Sequence, residues 1–278
     1  MNKTIQITII FILSVFFIQA QNDYKHNLTG VKKIVISSGT SLQIVAGKTN
    51  ELIIGKYDYQ NGESCDTNYN HHVNHSHNIN KNDNHNDKSK GLKAIYANGT
   101  DNTGFGLSIE KDGDILRIKD LKSFTQRNGL KFTIPKTMDL SVDCGNLGSV
   151  RIEKFSSEIE VKSNVGHIHL VDVTGPITAS SSTGGIDVEF VKVSQNAPIT
   201  ISTATASVDV SIPSDTNANL VLKSTLGTVY TNFDLAIKND NGMKIVGRNR
   251  KIETKLNNGG VKIALSSSTG NVYLRKRE

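Results

Sequence analysis

The chain has 278 residues, a formal charge of +6 and no tryptophan. Ile, Val and Thr fill 73 positions and Ala only 11, and β-branched side chains crowd a helix but fit a pleated sheet, so a helical bundle and an ordinary α/β enzyme are excluded. The charge excess is small for this length, and the basic groups at Arg248, Arg250 and Lys251 and at Arg275, Lys276 and Arg277 have no interleaved aromatics, so no nucleic-acid partner is expected.

Residues 1–20 read as an export signal. Lys3 precedes a mostly apolar stretch at residues 5–18, followed by Ala20 and the polar pair Gln21-Asn22. Fourteen residues fall short of the ~20 that span a bilayer as a helix. From Gln21 on, no apolar run is long enough to cross a membrane, so the mature chain is expected to have no transmembrane helix. The expected location is the periplasm, the outer-membrane surface or the extracellular space. Cys65 and Cys144 suit such an oxidising compartment, and their spacing alone decides neither for nor against a disulfide.

Residues 21–65 read as an N-terminal β-meander. Apolar residues alternate at Ile34 and Ile36, at Leu42 and Ile44, and at Leu52 and Ile54, with turns at Ser37-Ser38-Gly39-Thr40 and Gly47-Lys48-Thr49-Asn50. Residues 66–90 hold eight Asn and five His among 25 positions, with Val73 and Ile79 as the sole aliphatics. Such a stretch buries too little apolar surface to offset its ordering entropy, so a disordered insertion is expected.

Residues 91–278 read as strand throughout, continuous with the meander as one domain. A hairpin is expected around Lys111-Asp112-Gly113-Asp114, and a strand ending at Pro135, which has no N–H for a sheet ladder. Beyond Leu140 apolar pairs recur at Val150/Ile152, Ile159/Val161, Ile168/Leu170, Ile177/Ala179 and Ile186/Val188, each step nine residues. They continue at Ile199/Ile201, Val208/Val210, Leu220/Leu222 and Val229, with longer steps where residues 191–197 and 213–219 are inserted. Each strand–turn unit is too short to bury its own pair, and stacked units make a continuous core. The expected fold is all-β, a β-solenoid or β-helix-like stack with two strands per 18-residue coil. Ser and Thr are expected at outward and turn positions. Glycine at Gly148, Gly166, Gly185 and Gly227 is expected to supply positive φ at tight turns.

Two Ile-Pro units carry a resemblance. Phe-Thr-Ile-Pro-Lys-Thr-Met-Asp-Leu-Ser-Val occupies residues 132–142, and Val-Ser-Ile-Pro-Ser-Asp-Thr-Asn-Ala-Asn-Leu occupies residues 210–220. Gly-Gly-Val-Lys-Ile and Thr-Gly-Asn-Val-Tyr-Leu follow near the end. With the Gly-spaced ladder, these resemble the exported bacterial "putative adhesin" family of unknown function found in Bacteroidetes-type bacteria. The resemblance covers about residues 31–275, interrupted by the Asn/His insertion. It implies a β-solenoid in or outside the cell envelope, and it carries no established catalytic residues.

Two constellations are candidates for chemistry. His71, His72, His75, His77 and His85 are a candidate metal-binding set, since neutral imidazoles bind Zn, Cu or Ni, although no helical or Cys-based frame fixes their spacing. Arg151, His169, Asp187 and Asp209 fall at equivalent outward positions of the nine-residue pattern, so stacking predicts a column at about 4.8 Å intervals. A His beside two carboxylates can move protons or hold a cation. Tyr230 and Tyr273 are candidates for stacking on sugar rings. There is no nucleophile elbow, zincin helix, phosphate loop or Gly-Gly-x-Gly-x-Asp calcium repeat, and no cofactor is expected. The leading expectation is a non-enzymatic, adhesin-like envelope or surface protein that binds a protein or glycan partner through a solenoid face. The alternatives are a carbohydrate-active β-helix enzyme and a metal-binding envelope protein that uses the His-rich stretch.

Overall fold

The computed structural model describes residues 23–57, 92, 94–123, 129–235 and 250–277. The export segment, Cys65 and the His-rich stretch with all five of its histidines lie outside the described residues. Every named element is a strand. The first seven are β1 (Tyr24–Asn27), β2 (Lys33–Ser37), β3 (Leu42–Gly47), β4 (Glu51–Tyr57), β5 (Leu107–Asp112), β6 (Ile115–Asp120) and β7 (Gly129–Pro135). The next eight are β8 (Asp139–Asp143), β9 (Val150–Glu153), β10 (Ile159–Ser163), β11 (Ile168–Val173), β12 (Ile177–Ser181), β13 (Ile186–Phe190), β14 (Ile199–Thr203) and β15 (Val208–Pro213). The last five are β16 (Ala218–Ser224), β17 (Val229–Thr231), β18 (Arg250–Leu256), β19 (Val261–Ser267) and β20 (Val272–Arg277).

The strands form two ten-stranded sheets, and from β7 to β18 consecutive strands alternate between them. Sheet A runs β1-β4-β7-β3-β9-β11-β13-β15-β20-β17, and sheet B runs β18-β16-β19-β14-β12-β10-β8-β2-β6-β5. From β8 to β15 one coil contributes a strand to each sheet, and the next coil stacks on it in parallel. The eighteen-residue spacing sets the register: Ile159 lies beside Ile177, Val161 beside Ala179, and Ile168 beside Ile186. Inward residues of both sheets join in one buried cluster. Burying a full Ile or Val side chain is worth about 1.5–3 kcal/mol, so a one-residue slip, which would turn every inward pair to solvent, is strongly opposed. The all-β solenoid expected from the sequence is the fold observed. The hairpin also forms, with β5 antiparallel to β6 and Gly113 at φ 62° in the turn, and β7 ends at Pro135.

Three features depart from the sequence reading. The strands expected between residues 31 and 59 form, but β2 and β3 are not meander neighbours. β2 lies in sheet B between β6 and β8, and β3 in sheet A between β7 and β9, all parallel. The Ile34 and Ile44 strands thus form a coil of the stack, because both carry inward apolar residues that only coil neighbours cover. The C-terminal coil behaves alike: β19 lies between β14 and β16, and β20 between β15 and β17. Antiparallel strands flank the ends, β4 on β7 with β1 beyond it, β5 on β6, and β18 on β16.

The second departure is a polar column inside the stack. Ser163, Ser181, Thr203, Ser267 and Ser224 follow one another in register and are all buried. Four of the five hydroxyls cap carbonyls of the corner opposite: Ser163 donates to Gly148 O (3.3 Å), Thr203 to Gly184 O (3.1 Å), Ser267 to Ala206 O (2.8 Å) and Ser224 to Gly270 O (2.8 Å). Ser and Thr therefore serve inward as well as outward, where a coil corner would otherwise bury unpaired backbone oxygens.

The third concerns glycine. Gly148, Gly166, Gly185 and Gly227 are absent from the positive-φ positions of the described chain. A Cβ on Gly166 would overlap the Gly148 carbonyl, and one on Gly184 would overlap the Gly166 carbonyl. Close approach of one coil corner to the next selects glycine there, not turn handedness.

Candidate functional site

The outer face of sheet A carries the expected column. Pairing of β9, β11, β13 and β15 sets Arg151 beside His169, His169 beside Asp187, and Asp187 beside Asp209. Gln43 continues it on one side, and Tyr273 and then Tyr230 on the other. The inward partners Ile168/Leu170, Ile186/Val188 and Val208/Val210 are fully buried and lock this register. Each outward side chain is placed by the apolar residues either side of it.

Ion pairs organise the flanks. Arg151 Nε donates to Glu153 Oε1 at 2.6 Å. Arg275 grips Asp209 with two parallel bonds, Nε to Oδ1 and Nη2 to Oδ2, both 2.7 Å. The hydrogen bonds that Arg275 donates to Asp209, then the Asp209 charge, hold the Arg275 guanidinium pKa above its usual range. The same guanidinium lies 5.3 Å from the centre of the Tyr273 ring, and Tyr273 stacks on Tyr230 at 5.2 Å and 12°. The two tyrosines named from sequence are thus brought together as a two-ring platform beside a cation. Arg277 donates to Asp172 at 2.7 Å and reaches Glu189 at 3.9 Å. Asp172 has φ 56° at the irregularity between Leu170 and Val173 of β11, and the bulge aims its carboxylate at this arginine.

His167 belongs to the same cluster. His167 Nε2 lies 2.9 Å and His169 Nδ1 3.4 Å from the same oxygen, Asp187 Oδ2. The two imidazoles stack at 4.2 Å and 14°. The ring of His167 leans over Gly185, the residue just before β13, where a Cβ would stand 2.6 Å from its Cε1. The ligand atoms of His167, His169 and Asp187 lie within 4.8 Å of one another, which makes them the cation-holding candidates among the described residues. His169 is 7% exposed although it faces outward. The sequence reading named His169 and Asp187 but not His167. The available signal was His-x-His running into a strand, whose alternation puts both rings on one face, with a glycine eighteen residues after the first His to leave room for its ring.

A shallow cavity of ≈ 470 Å³ opens along this face, between Arg151, His169, Asp187, Glu189, Asp209 and Arg275. A larger one of ≈ 590 Å³ lies among corner loops near Ser38, Asp120 and Asn146. There the Asp120 carboxylate is occupied by the Ser38 and Thr40 hydroxyls (2.8 and 2.6 Å) and the N–H groups of Lys122 and Ser123 (2.9 and 2.8 Å). It works as a latch between loops. The five histidines of the His-rich stretch lie outside the described residues, so the structure places none of them. Cys144 is a fully buried thiol, pushed up to about 12 by burial and the adjacent Asp143 charge. Among the described residues no helix is long and apolar enough to cross a membrane.

No protein-family model matches the chain, and no curated protein matches it in sequence. Among solved structures it is similar to the crystal structure of a "putative cell adhesion protein" from Clostridium sporogenes, with a TM-score of 0.44 and 10% identity over 92% of this chain and 100% of that one.

Proposed function

We propose that this protein is a non-enzymatic, exported, adhesin-like protein of the cell envelope or surface, which binds its partner through the outer face of sheet A. The observation that supports this reading is an asymmetry between the two faces. Mid-stack, the outer face of sheet B presents small hydroxyls, with Thr178 beside Thr200, and Ser180 beside Ser202 and then Ser266. The outer face of sheet A presents, from β11 to β17, two imidazoles, paired carboxylates and guanidinia, and the Tyr230–Tyr273 platform, whereas the flanking sheet B strands add separate charges such as Glu160, Lys162 and Lys223. Stacked aromatics beside a guanidinium suit a partner with flat, polar faces, such as a sugar ring or a protein side chain. The carboxylate of Asp209 is engaged by Arg275 and that of Asp187 by imidazoles, which favours recognition over catalysis.

The test presents the purified protein to a glycan array and to envelope extracts. Tyr230→Ala with Tyr273→Ala is expected to weaken retention by roughly tenfold or more, as loss of buried aromatic anchors does, while Thr178→Ala with Thr200→Ala on sheet B leaves it unchanged. Equal loss from both faces, or from neither, would reject the assignment. Polysaccharide turnover that disappears in Asp187→Asn would replace it with the carbohydrate-active reading.

A further inference from the structure

We propose that His167, His169 and Asp187 form a surface site for one divalent transition-metal ion of the Zn²⁺, Ni²⁺ or Cu²⁺ class. The inference goes beyond the binding-face reading and does not depend on it.

Two imidazole nitrogens and a carboxylate oxygen within 4.8 Å of one another are an N₂O donor set. Imidazole-rich sets suit zinc, copper and nickel, whereas calcium needs six to eight oxygens. The three residues are not a chance surface cluster, because two independent features of the fold assemble them. Parallel register sets His169 beside Asp187, and the alternation of β11, carried one residue back, puts His167 on the same face, stacked on His169. Gly185 then supplies the space that lets the His167 ring lean across to Asp187 Oδ2.

Exposure is distributed as a site of this kind needs. His169 is buried and held, while the side chains of His167 and Asp187 are 29% and 41% exposed. The rings now stack nearly parallel, so their in-plane lone pairs run side by side. Binding swings the His167 ring over Gly185 until both nitrogens face the ion, and water fills the remaining positions on the solvent side. The nearest cations are already matched: Arg151 with Glu153, and Arg275 with Asp209. Their fields at the site are thereby reduced.

Zn²⁺ titration by calorimetry tests this on the full chain, with His71, His72, His75, His77 and His85 each replaced by Asn so that the His-rich stretch cannot contribute. One Zn²⁺ per chain is expected on that background. His167→Ala and Asp187→Asn should each weaken it by roughly tenfold or more, in line with the sensitivity of metal sites to lost ligation. Gly185→Ala should weaken it as well, by displacing the His167 ring, while Thr178→Ala should not. Ca²⁺ should give no comparable heat. Circular dichroism confirms that each variant is folded. The visible spectrum of Co²⁺ on the background protein gives a readout that needs no substitution within the site. Absence of Zn²⁺ uptake on the five-Asn background, uptake indifferent to His167→Ala and Asp187→Asn, or a Co²⁺ spectrum identical to that of the aqueous ion would overturn the proposal. Because no partner is involved, failure here leaves the face-binding reading standing, and the reverse also holds.

Discussion

At the scale of single residues, the corner glycines and one loop carboxylate carry the sharpest consequences. Gly184 is buried against the Gly166 carbonyl of the coil below, so a methyl group has to push two coils apart. Gly184→Ala should lower stability by about 1–3 kcal/mol, the usual cost of overpacking, read as a drop in urea midpoint with an unchanged slope. Asp101 makes a different kind of prediction. Burial alone would raise its carboxyl pKa, but N–H groups of Thr103, Gly106 and Gly104 (3.0, 2.8 and 2.9 Å) and the Thr103 hydroxyl outweigh that and hold it below its ordinary value. A lowered folded pKa gives stabilisation that is present above the unfolded value, near 4, and lost as the pH falls through the lower folded one. Amide exchange at Gly104 and Gly106 should therefore lose protection in that acid window and be flat above it. An Asp101→Asn variant should show no such step.

At the scale of the element, the inward Ser/Thr column separates two kinds of buried hydroxyl. Ser267 Oγ donates to Ala206 O and accepts from Gly270 N–H (2.9 Å). Ser181 holds the same register position, yet its Oγ has no partner among the described residues. Ser267→Ala leaves a buried carbonyl and a buried N–H unpaired and should cost about 1–3 kcal/mol. Ser181→Ala removes a hydroxyl that gains nothing from its site and should be near neutral or stabilising. Thermal melts of the two variants decide the matter, and equal costs would mean that the column acts by packing alone. The column also shows where pattern reading stops. Apolar residues at nine-residue steps announce which side faces inward, but a serine reads as polar wherever it falls. Only the carbonyl opposite shows that Ser163, Thr203, Ser224 and Ser267 belong inside.

At the scale of the whole molecule, both ends of the stack depart from chain order. The coil β2–β3 lies between β6–β7 and β8–β9, and the coil β19–β20 between β14–β15 and β16–β17. Removing residues 261–277 would therefore uncover the pairing edges of β14, β15, β16 and β17 together. Open strand edges template association. The truncated chain is expected to lose cooperative unfolding and to aggregate, seen by light scattering and by a broadened denaturation transition. A truncated chain that melts as sharply as the parent would mean that β16–β17 closes directly onto β14–β15. Intercalated coils also wait for distant partners: Ile34 needs Leu116 and Leu140 before it is covered on both sides.

The amino-acid sequence alone determined the all-β class, the two-strand coil and the inward pairs from Val150 to Val210, because strand period and coil length are local and repeat in register. It also determined that Arg151, His169 and Asp187 would be neighbours, since that follows from the same eighteen-residue repeat, and that Asp209 joins them once the insertion at residues 191–197 is allowed for. Tertiary structure decided the rest. The stacking order at the two ends depends on which exposed edge a coil meets, and no local pattern encodes that. The place of His167 depends on the empty space above Gly185, and the glycine corners on carbonyls of another coil. These are contacts between residues brought together by stacking, and they exist only once the coils are in place.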